Sequence, residues 1–144
     1  ASLQTEHFGP VTMFVTCPTP DALLEAVESL HGNLTATGHS EAQETAFTSE
    51  LFSRLRGKAG RLIWNGFPTG VEVGYAMQHG GPYPATTAPQ TTSVGVTAIK
   101  RFLRPVAFQN LPDSLLPEAL QDANPLNIWR VVDGQLTREP LRRS

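Results

Sequence analysis

Short apolar runs alternate with helix-like patterns over the first half of the chain. Residues 11–16, 34–37 and 61–64 are rich in β-branched, aromatic and aliphatic side chains, which is typical of strands. Between them, apolar residues recur at helical spacing in two stretches: Leu23, Leu24, Val27 and Leu30, then Phe47, Leu51, Phe52 and Leu55. The order strand, helix, strand, helix, strand predicts two βαβ crossovers and a parallel sheet.

Capping signals place the ends of both helices. Thr19-Pro20 is a hydroxyl cap followed by a proline at the first helical position, and Gly32 is expected to stop the first helix. Ser40 and Gln43 have the spacing of a capping box, so we expect the second helix to begin at that point.

The most unusual segment follows the third strand. Residues 66–92 are dense in Gly, Pro and Thr and have neither a helical nor a strand period. Loops of this length in compact domains are usually functional or disordered, and Phe67, His79 and Tyr83 favour an ordered one. Because ligand sites in open α/β sheets lie beyond the carboxyl ends of strands, this position predicts a site-forming loop.

The remaining third has mixed signals. We expect a helix from Ser93 that ends before Pro105, a strand over residues 106–111 and partial helix over residues 112–123. Asp133-Gly134 favours a type I′ turn. It joins two predicted hairpin strands, residues 128–132 and 135–138.

Composition narrows the function classes. The chain has 144 residues, 40% of them hydrophobic, and a formal net charge of −2. It carries no broad basic field for nucleic acid or an anionic membrane, and no apolar run approaches the roughly 20 residues of a bilayer span. The single Cys17 excludes an intrachain disulfide and fits a cytoplasmic location. The first residue is Ala1 rather than methionine, so we expect a segment of a longer polypeptide.

Candidate chemistry is sparse. There is no His-Glu-x-x-His motif and no Cys/His pair at ligand spacing, so no metal site is expected. Cys17 lacks an electropositive neighbour and is interpreted as a small hydrophobe, not a nucleophile. His79 lies in a glycine-flanked loop beyond a strand end, where an imidazole suits proton exchange; a solvent-facing loop histidine is the alternative. Gly80-Gly81 is no phosphate loop, because Pro82 has no amide hydrogen.

Several motifs resemble the aldehyde dehydrogenase family. Glu6-His7-Phe8-Gly9-Pro10 matches its Glu-x-Phe-Gly-Pro motif, and residues 32–37 and 60–65 are similar to its Tyr-Gly-Leu and Gly-x-Val-x-x-Asn strands. Residues 66–71 and 79–86 depart from the common Pro-Phe-Gly-Gly pattern. They resemble the branch that contains α-ketoglutaric semialdehyde dehydrogenases and related NADP-dependent fatty aldehyde dehydrogenases, as do residues 92–95, 101–106 and 124–126.

The resemblance implies a fold and an assembly. Residues 1–104 would be the C-terminal portion of an α/β catalytic domain with a parallel βαβαβ arrangement, and residues 105–144 an oligomerisation strand with a C-terminal extension and hairpin. The implied partners are the upstream part of the same polypeptide and further copies in a homodimer or tetramer.

The resemblance also implies a site. Glu6 and Phe8 would contact the cofactor, NADP or NAD, while His79 approaches the reacting centre. The aldehyde would be lined by Phe67, Pro68, Thr69, Gly70, Val71 and Tyr83.

In this family a thiolate attacks the aldehyde, hydride passes to the cofactor, and water hydrolyses the thioester. The nucleophilic cysteine, the general-base glutamate and the oxyanion-hole asparagine would lie upstream, so the isolated chain is expected to be inactive. The alternatives are a fatty or aromatic aldehyde as substrate, or a non-catalytic assembly or binding module.

Overall fold

The computed structural model describes residues 2–5 and 7–141 and consists of two compact units, Ala1–Leu103 and Arg104–Ser144. The first unit contains helix α1 (Pro20–Glu28), strand β1 (Asn33–Gly38), helix α2 (Thr45–Leu55), strand β2 (Ala59–Trp64) and 3-10 helices at Ser2–Gln4 and Val96–Phe102. The second contains strands β3 (Arg130–Val132) and β4 (Gln135–Thr137) and 3-10 turns at Asp113–Leu115 and Glu118–Leu120.

The predicted crossover from β1 through α2 to β2 is confirmed. The two strands pair in parallel, with Thr35 opposite Arg61 and Gly38 opposite Trp64. The core beneath them consists of buried residues from both helices and the strand residues packed on these: Leu24, Val27, Leu51 and Leu55, then Ala36 and Leu62. The stripes of apolar residues read from the sequence therefore meet in one α/β core.

The predicted start of α1 is correct, and its predicted end is wrong. Thr19 Oγ1 accepts a hydrogen bond from the backbone N–H of Ala22, and Pro20 opens the helix. The helix ends at Glu28 with Ser29 as its C-cap. Gly32 lies beyond that end, so a glycine in the left-handed conformation is not what stops the helix.

The capping box predicted for α2 is also wrong. The helix starts at Thr45, and its N-cap Glu44 makes no side-chain capping bond; instead the Glu44 carboxylate accepts from the backbone N–H of Glu41. The Ser40 hydroxyl accepts bonds from Thr48 and Trp64. Ser40 is therefore used for tertiary contacts and does not cap the helix.

Residues 11–16 do not form the predicted first strand. They are extended without a strand partner, and every one of them is exposed, with Phe14 at 92%. A strand needs a neighbour to satisfy its backbone N–H and C=O groups. In the described residues the sheet of this unit has two strands, β1 and β2. The first predicted crossover is consequently missing.

The helix predicted from Ser93 is a 3-10 helix, Val96–Phe102. Its apolar side chains have little to pack against: Ile99 is 63% exposed and Phe102 is 84% exposed. Short helices gain most of their stability from packing of an apolar face, which explains why a full α-helix is not formed. None of the helices in the described residues has both the length and the apolar character needed to cross a membrane.

The hairpin of the second unit is confirmed. β3 and β4 are antiparallel, and positive φ angles at Asp133 (49°) and Gly134 (80°) fit the predicted type I′ turn. The Asn124 amide, 5% exposed, donates to the backbone carbonyls of Ile128 and Arg138 and so holds the ends of the hairpin.

The predicted strand at 106–111 is wrong for the described residues of this unit, where the segment is unpaired and almost entirely exposed. Partial helicity over 112–123 takes the form of the two 3-10 turns. Both outcomes share a cause, since neither segment finds an apolar surface or a strand edge in its own unit.

Candidate functional site

The carboxyl ends of β1 and β2 are joined by one side chain. Asn65 Oδ1 accepts from the Ser40 backbone N–H at 2.9 Å, and Asn65 Nδ2 donates to the Ser40 carbonyl at 2.9 Å. The Asn65 backbone N–H donates to the Gly38 carbonyl at 2.9 Å. Its φ of 49° is in the left-handed region, which asparagine tolerates better than most residues. The strand ends are thereby fixed relative to each other.

A small cavity lies beside Ser40, which Asn65 holds through two hydrogen bonds. Its volume is about 350 Å³, and its lining includes Ser40, Thr45, Thr48, Phe52 and Trp64. The Ser40 hydroxyl accepts from Thr48 Oγ1 at 2.8 Å and from Trp64 Nε1 at 3.0 Å. The side-chain polar groups of Ser40, Thr48 and Trp64 are therefore bonded to one another, and the lining surface is mainly apolar.

The first part of the long loop starts at this carboxyl edge. The rings of Phe67 and His39 lie 5.5 Å apart with a tilt of 49°. Farther along, the Arg61 guanidinium donates from Nη1 to the Gly70 carbonyl at 2.7 Å and from Nη2 to the Pro68 carbonyl at 3.3 Å. The predicted substrate residues 67–71 thus form one exposed surface that begins where β2 ends; Phe67 is 76% exposed.

The second part of the loop lies at the opposite, amino edge of the sheet. A Cβ placed on Gly60 would collide with the Gly80 carbonyl, and one placed on Gly81 would collide with the Asn33 carbonyl. Gly32 is equally close to the Pro82 carbonyl. Backbone therefore crosses backbone at the first residues of both strands, which only glycine permits.

The structure therefore does not bring the predicted site residues together. Phe67 lies at the carboxyl edge, whereas the backbone next to His79 and Tyr83 lies at the amino edge. Six-residue strands separate these edges by about 17 Å. The premise that the whole loop lies beyond the carboxyl ends is wrong for its second half.

His79 itself is firmly held. Its backbone N–H donates to Thr92 Oγ1 at 2.8 Å, and its carbonyl accepts from the backbone N–H and the hydroxyl of Ser93, both at 3.0 Å. Thr92 is 3% exposed, and its hydroxyl donates to the Val94 carbonyl at 2.8 Å. The imidazole Nδ1 is buried without a hydrogen-bond partner. No sequence motif indicated this role of Thr92.

The residues predicted to contact the cofactor lie near the start of the chain. Glu6 lies outside the described residues, and Phe8 is 97% exposed. Gly80 and Gly81 are buried against the strands, so their backbone is not open to a phosphate. The described residues therefore do not form a dinucleotide pocket by themselves, and they hold no cluster of three or more metal-binding side chains.

No family model matches the chain. It is 53% identical over 130 residues, 90% of its length, to alpha-ketoglutaric semialdehyde dehydrogenase 2 of Azospirillum brasilense. It is 50% identical over 136 residues, 94% of its length, to alpha-ketoglutaric semialdehyde dehydrogenase of Acinetobacter baylyi. The chain spans about a quarter of the length of these curated relatives. Over nine-tenths of its length, the chain is thus similar to one part of an alpha-ketoglutaric semialdehyde dehydrogenase, as its motifs predicted.

Proposed function

We propose that this chain is the C-terminal part of the catalytic domain, with the oligomerisation segment, of an NADP-dependent aldehyde dehydrogenase that oxidises α-ketoglutaric semialdehyde to the carboxylate. The observation that carries the proposal is the identity of 50–53% over at least 90% of the chain to two relatives with that name. The resemblance includes the long loop, residues 66–92, whose motifs are the most specific in the chain.

Residues 67–71 contribute one wall of the aldehyde channel. Three features support this role: the segment begins at the carboxyl edge of a parallel sheet, its side chains are exposed, and none of them is charged. His79 and Tyr83 contribute to the aldehyde site from the amino edge of the sheet. In this proposal another part of the polypeptide holds the aldehyde between the two edges.

The cofactor pocket is shared with another part of the polypeptide. Phe8 offers an uncovered aromatic face, and Glu6 offers a carboxylate for ribose hydroxyls, but the described residues form no cradle for the phosphates. The preference for NADP over NAD is part of the proposal.

Residues 8–15 include a large exposed apolar segment, which supports the proposal that a partner packs there. Phe8, Val11, Met13, Phe14 and Val15 are each at least 50% exposed. Contiguous apolar patches on a folded protein usually mark an interaction surface. We propose that the upstream part of the same polypeptide covers this segment.

The test uses the complete protein from its source. Its intact mass is measured first, and reduction of NADP and NAD is then followed with α-ketoglutaric semialdehyde, octanal and benzaldehyde. We expect a chain of several domains that prefers the semialdehyde with NADP. A native mass of 15.6 kDa without aldehyde oxidation would support a non-catalytic module instead.

A fatty or aromatic aldehyde is the second candidate substrate. It is favoured by the neutral, exposed side chains of residues 67–71, particularly Phe67. A kcat/KM for octanal or benzaldehyde that exceeds the value for the semialdehyde would select this alternative.

A further inference from the structure

Arg61 is a cationic side chain that contacts residues 66–71, the segment after β2 that we call the substrate loop. It is the third residue of β2, and its neighbour Leu62 packs against the core. Because side chains alternate along a strand, Arg61 lies on the sheet face opposite the helices. Its two terminal nitrogens donate to the carbonyls of Gly70 and Pro68, and its Nε is buried without a partner.

Arg61 supplies the hydrogen bonds to the backbone of this segment. Among the described residues, the backbone of residues 66–73 makes hydrogen bonds to the Arg61 guanidinium and to nothing else. The segment contains two glycines and a proline and has no regular structure. Arg61 thus fixes two carbonyls of a segment whose remaining backbone groups make no hydrogen bond to another described residue.

No acid of the described residues forms an ion pair with Arg61. Within the described part of the chain, the ion pairs join Arg54 to Glu28 and Glu50, and Lys58 to Glu28. None involves Arg61. Since Arg61 is half-buried, its field is less screened by water than that of an exposed arginine.

We propose that Arg61 is a positioning residue that determines substrate specificity: it anchors residues 66–71 and makes the aldehyde site favour anionic aldehydes over neutral ones of equal length. The inference rests on the proposed function, because residues 67–71 must line the aldehyde channel. Arg61 would be the source of the preference for anions, because residues 66–71 themselves carry no charge. The carboxylate of a dicarboxylic semialdehyde is the group that this field would attract.

The test compares Arg61→Met and Arg61→Lys in the complete protein. Methionine keeps an apolar stem and removes the charge and all donors, whereas lysine keeps the charge but cannot donate to two carbonyls in the fork geometry of arginine. Arg54→Met is the matched control, because Arg54 is also partly buried but pairs with acids away from the loop.

Substrate preference is measured as the ratio of kcat/KM for α-ketoglutaric semialdehyde to that for pentanal, which has the same chain length. We expect Arg61→Met to lower this ratio at least tenfold, mainly by raising KM for the anionic aldehyde, while Arg61→Lys and Arg54→Met keep it within about threefold. Equal losses for both aldehydes, or an unchanged ratio in Arg61→Met, would overturn the specificity role.

Anchoring is measured separately by cleavage after Glu72 with a glutamate-specific protease. Arg61→Met should raise this cleavage rate severalfold, and Arg54→Met should leave it unchanged; an unchanged rate in Arg61→Met overturns the anchoring role. If the parent oxidises neither aldehyde, the proposed function fails and the specificity role fails with it. The cleavage rate still decides whether Arg61 anchors the loop.

Discussion

The side-chain amide of Asn65 pairs with both backbone groups of Ser40, accepting from its N–H and donating to its carbonyl at 2.9 Å each. Two antiparallel residues in a sheet exchange bonds in the same reciprocal way. The amide therefore adds one rung beyond the last paired residues, Gly38 and Trp64. It holds together the edge from which the substrate loop begins.

Replacing Asn65 with alanine should remove this rung. The Ser40 backbone groups would lose their partners, and alanine would have to adopt a φ of 49°. We expect the free energy of unfolding to fall by about 1–3 kcal/mol. Urea denaturation of the complete protein measures the change.

Asn127→Ala is the matched control for this prediction. Asn127 also has a positive φ, 48°, but it is exposed and its side chain makes no hydrogen bond in the described residues. The stability lost by the control variant reports the backbone strain alone. The difference between the two variants is therefore the contribution of the Asn65–Ser40 hydrogen bonds. Equal losses would show that these hydrogen bonds contribute nothing.

Local sequence signals were sufficient for the elements that share a core. The Thr19-Pro20 start of α1, the stripes ending in Leu51 and Leu55, and the Asp133-Gly134 turn could be predicted because each depends on residues close in sequence. The strand patterns at 11–16 and 106–111 are of the same local kind. They fail because pairing needs a second strand, which the pattern does not supply.

The candidate site was only partly predictable for a similar reason. The sequence placed residues 66–92 after a strand, but it could not show that Gly60 and Gly80 meet. A pair of glycines twenty residues apart has no signature beyond the glycines themselves. The sequence likewise did not single out Arg61, because the apolar residues that follow it led to the interpretation of a buried strand.

Gly60→Ala tests the crossing at the amino edge. The added Cβ would meet the Gly80 carbonyl, which is backbone and cannot rotate away. We expect a loss of about 3 kcal/mol, the upper end for overpacked sites. Gly70→Ala in the same loop has open space and should stay within about 0.5 kcal/mol of the parent. Similar melting temperatures for both variants would contradict the crossing.

His79→Gln tests the proposed catalytic role. If the imidazole reaches the reacting centre, kcat of the complete enzyme should fall by about 10- to 1,000-fold, overlapping the range for a positioned acid–base group. The backbone bonds to Thr92 and Ser93 do not involve the ring, so the melting temperature should change little. His31→Gln, at an exposed position, is the control. If His79→Gln had the same kcat as His31→Gln and the parent, His79 would be a structural loop residue.

Glu6→Gln and Phe8→Ala test the proposed cofactor contacts. Phe8 is 97% exposed, so its truncation should not destabilise this unit. Loss of an orienting contact should slow single-turnover hydride transfer by about 10- to 100-fold. Phe102→Ala removes a ring that is 84% exposed and serves as the control. Unchanged single-turnover rates in Glu6→Gln and Phe8→Ala would refute the assignment.

Phe108→Lys tests whether residues 106–111 join a neighbouring subunit. The segment is unpaired in its own unit, and Val106 and Phe108, two residues apart, are 57% and 46% exposed. An unpaired apolar edge of this kind is normally covered, and the resemblance implies that a second copy covers it. A charge at Phe108 should shift the complete protein toward monomers in light scattering. Gln109→Lys places the same charge on the alternate face of the segment and should leave the assembly intact. Retention of the parent's oligomeric state by Phe108→Lys would contradict the proposed subunit contact.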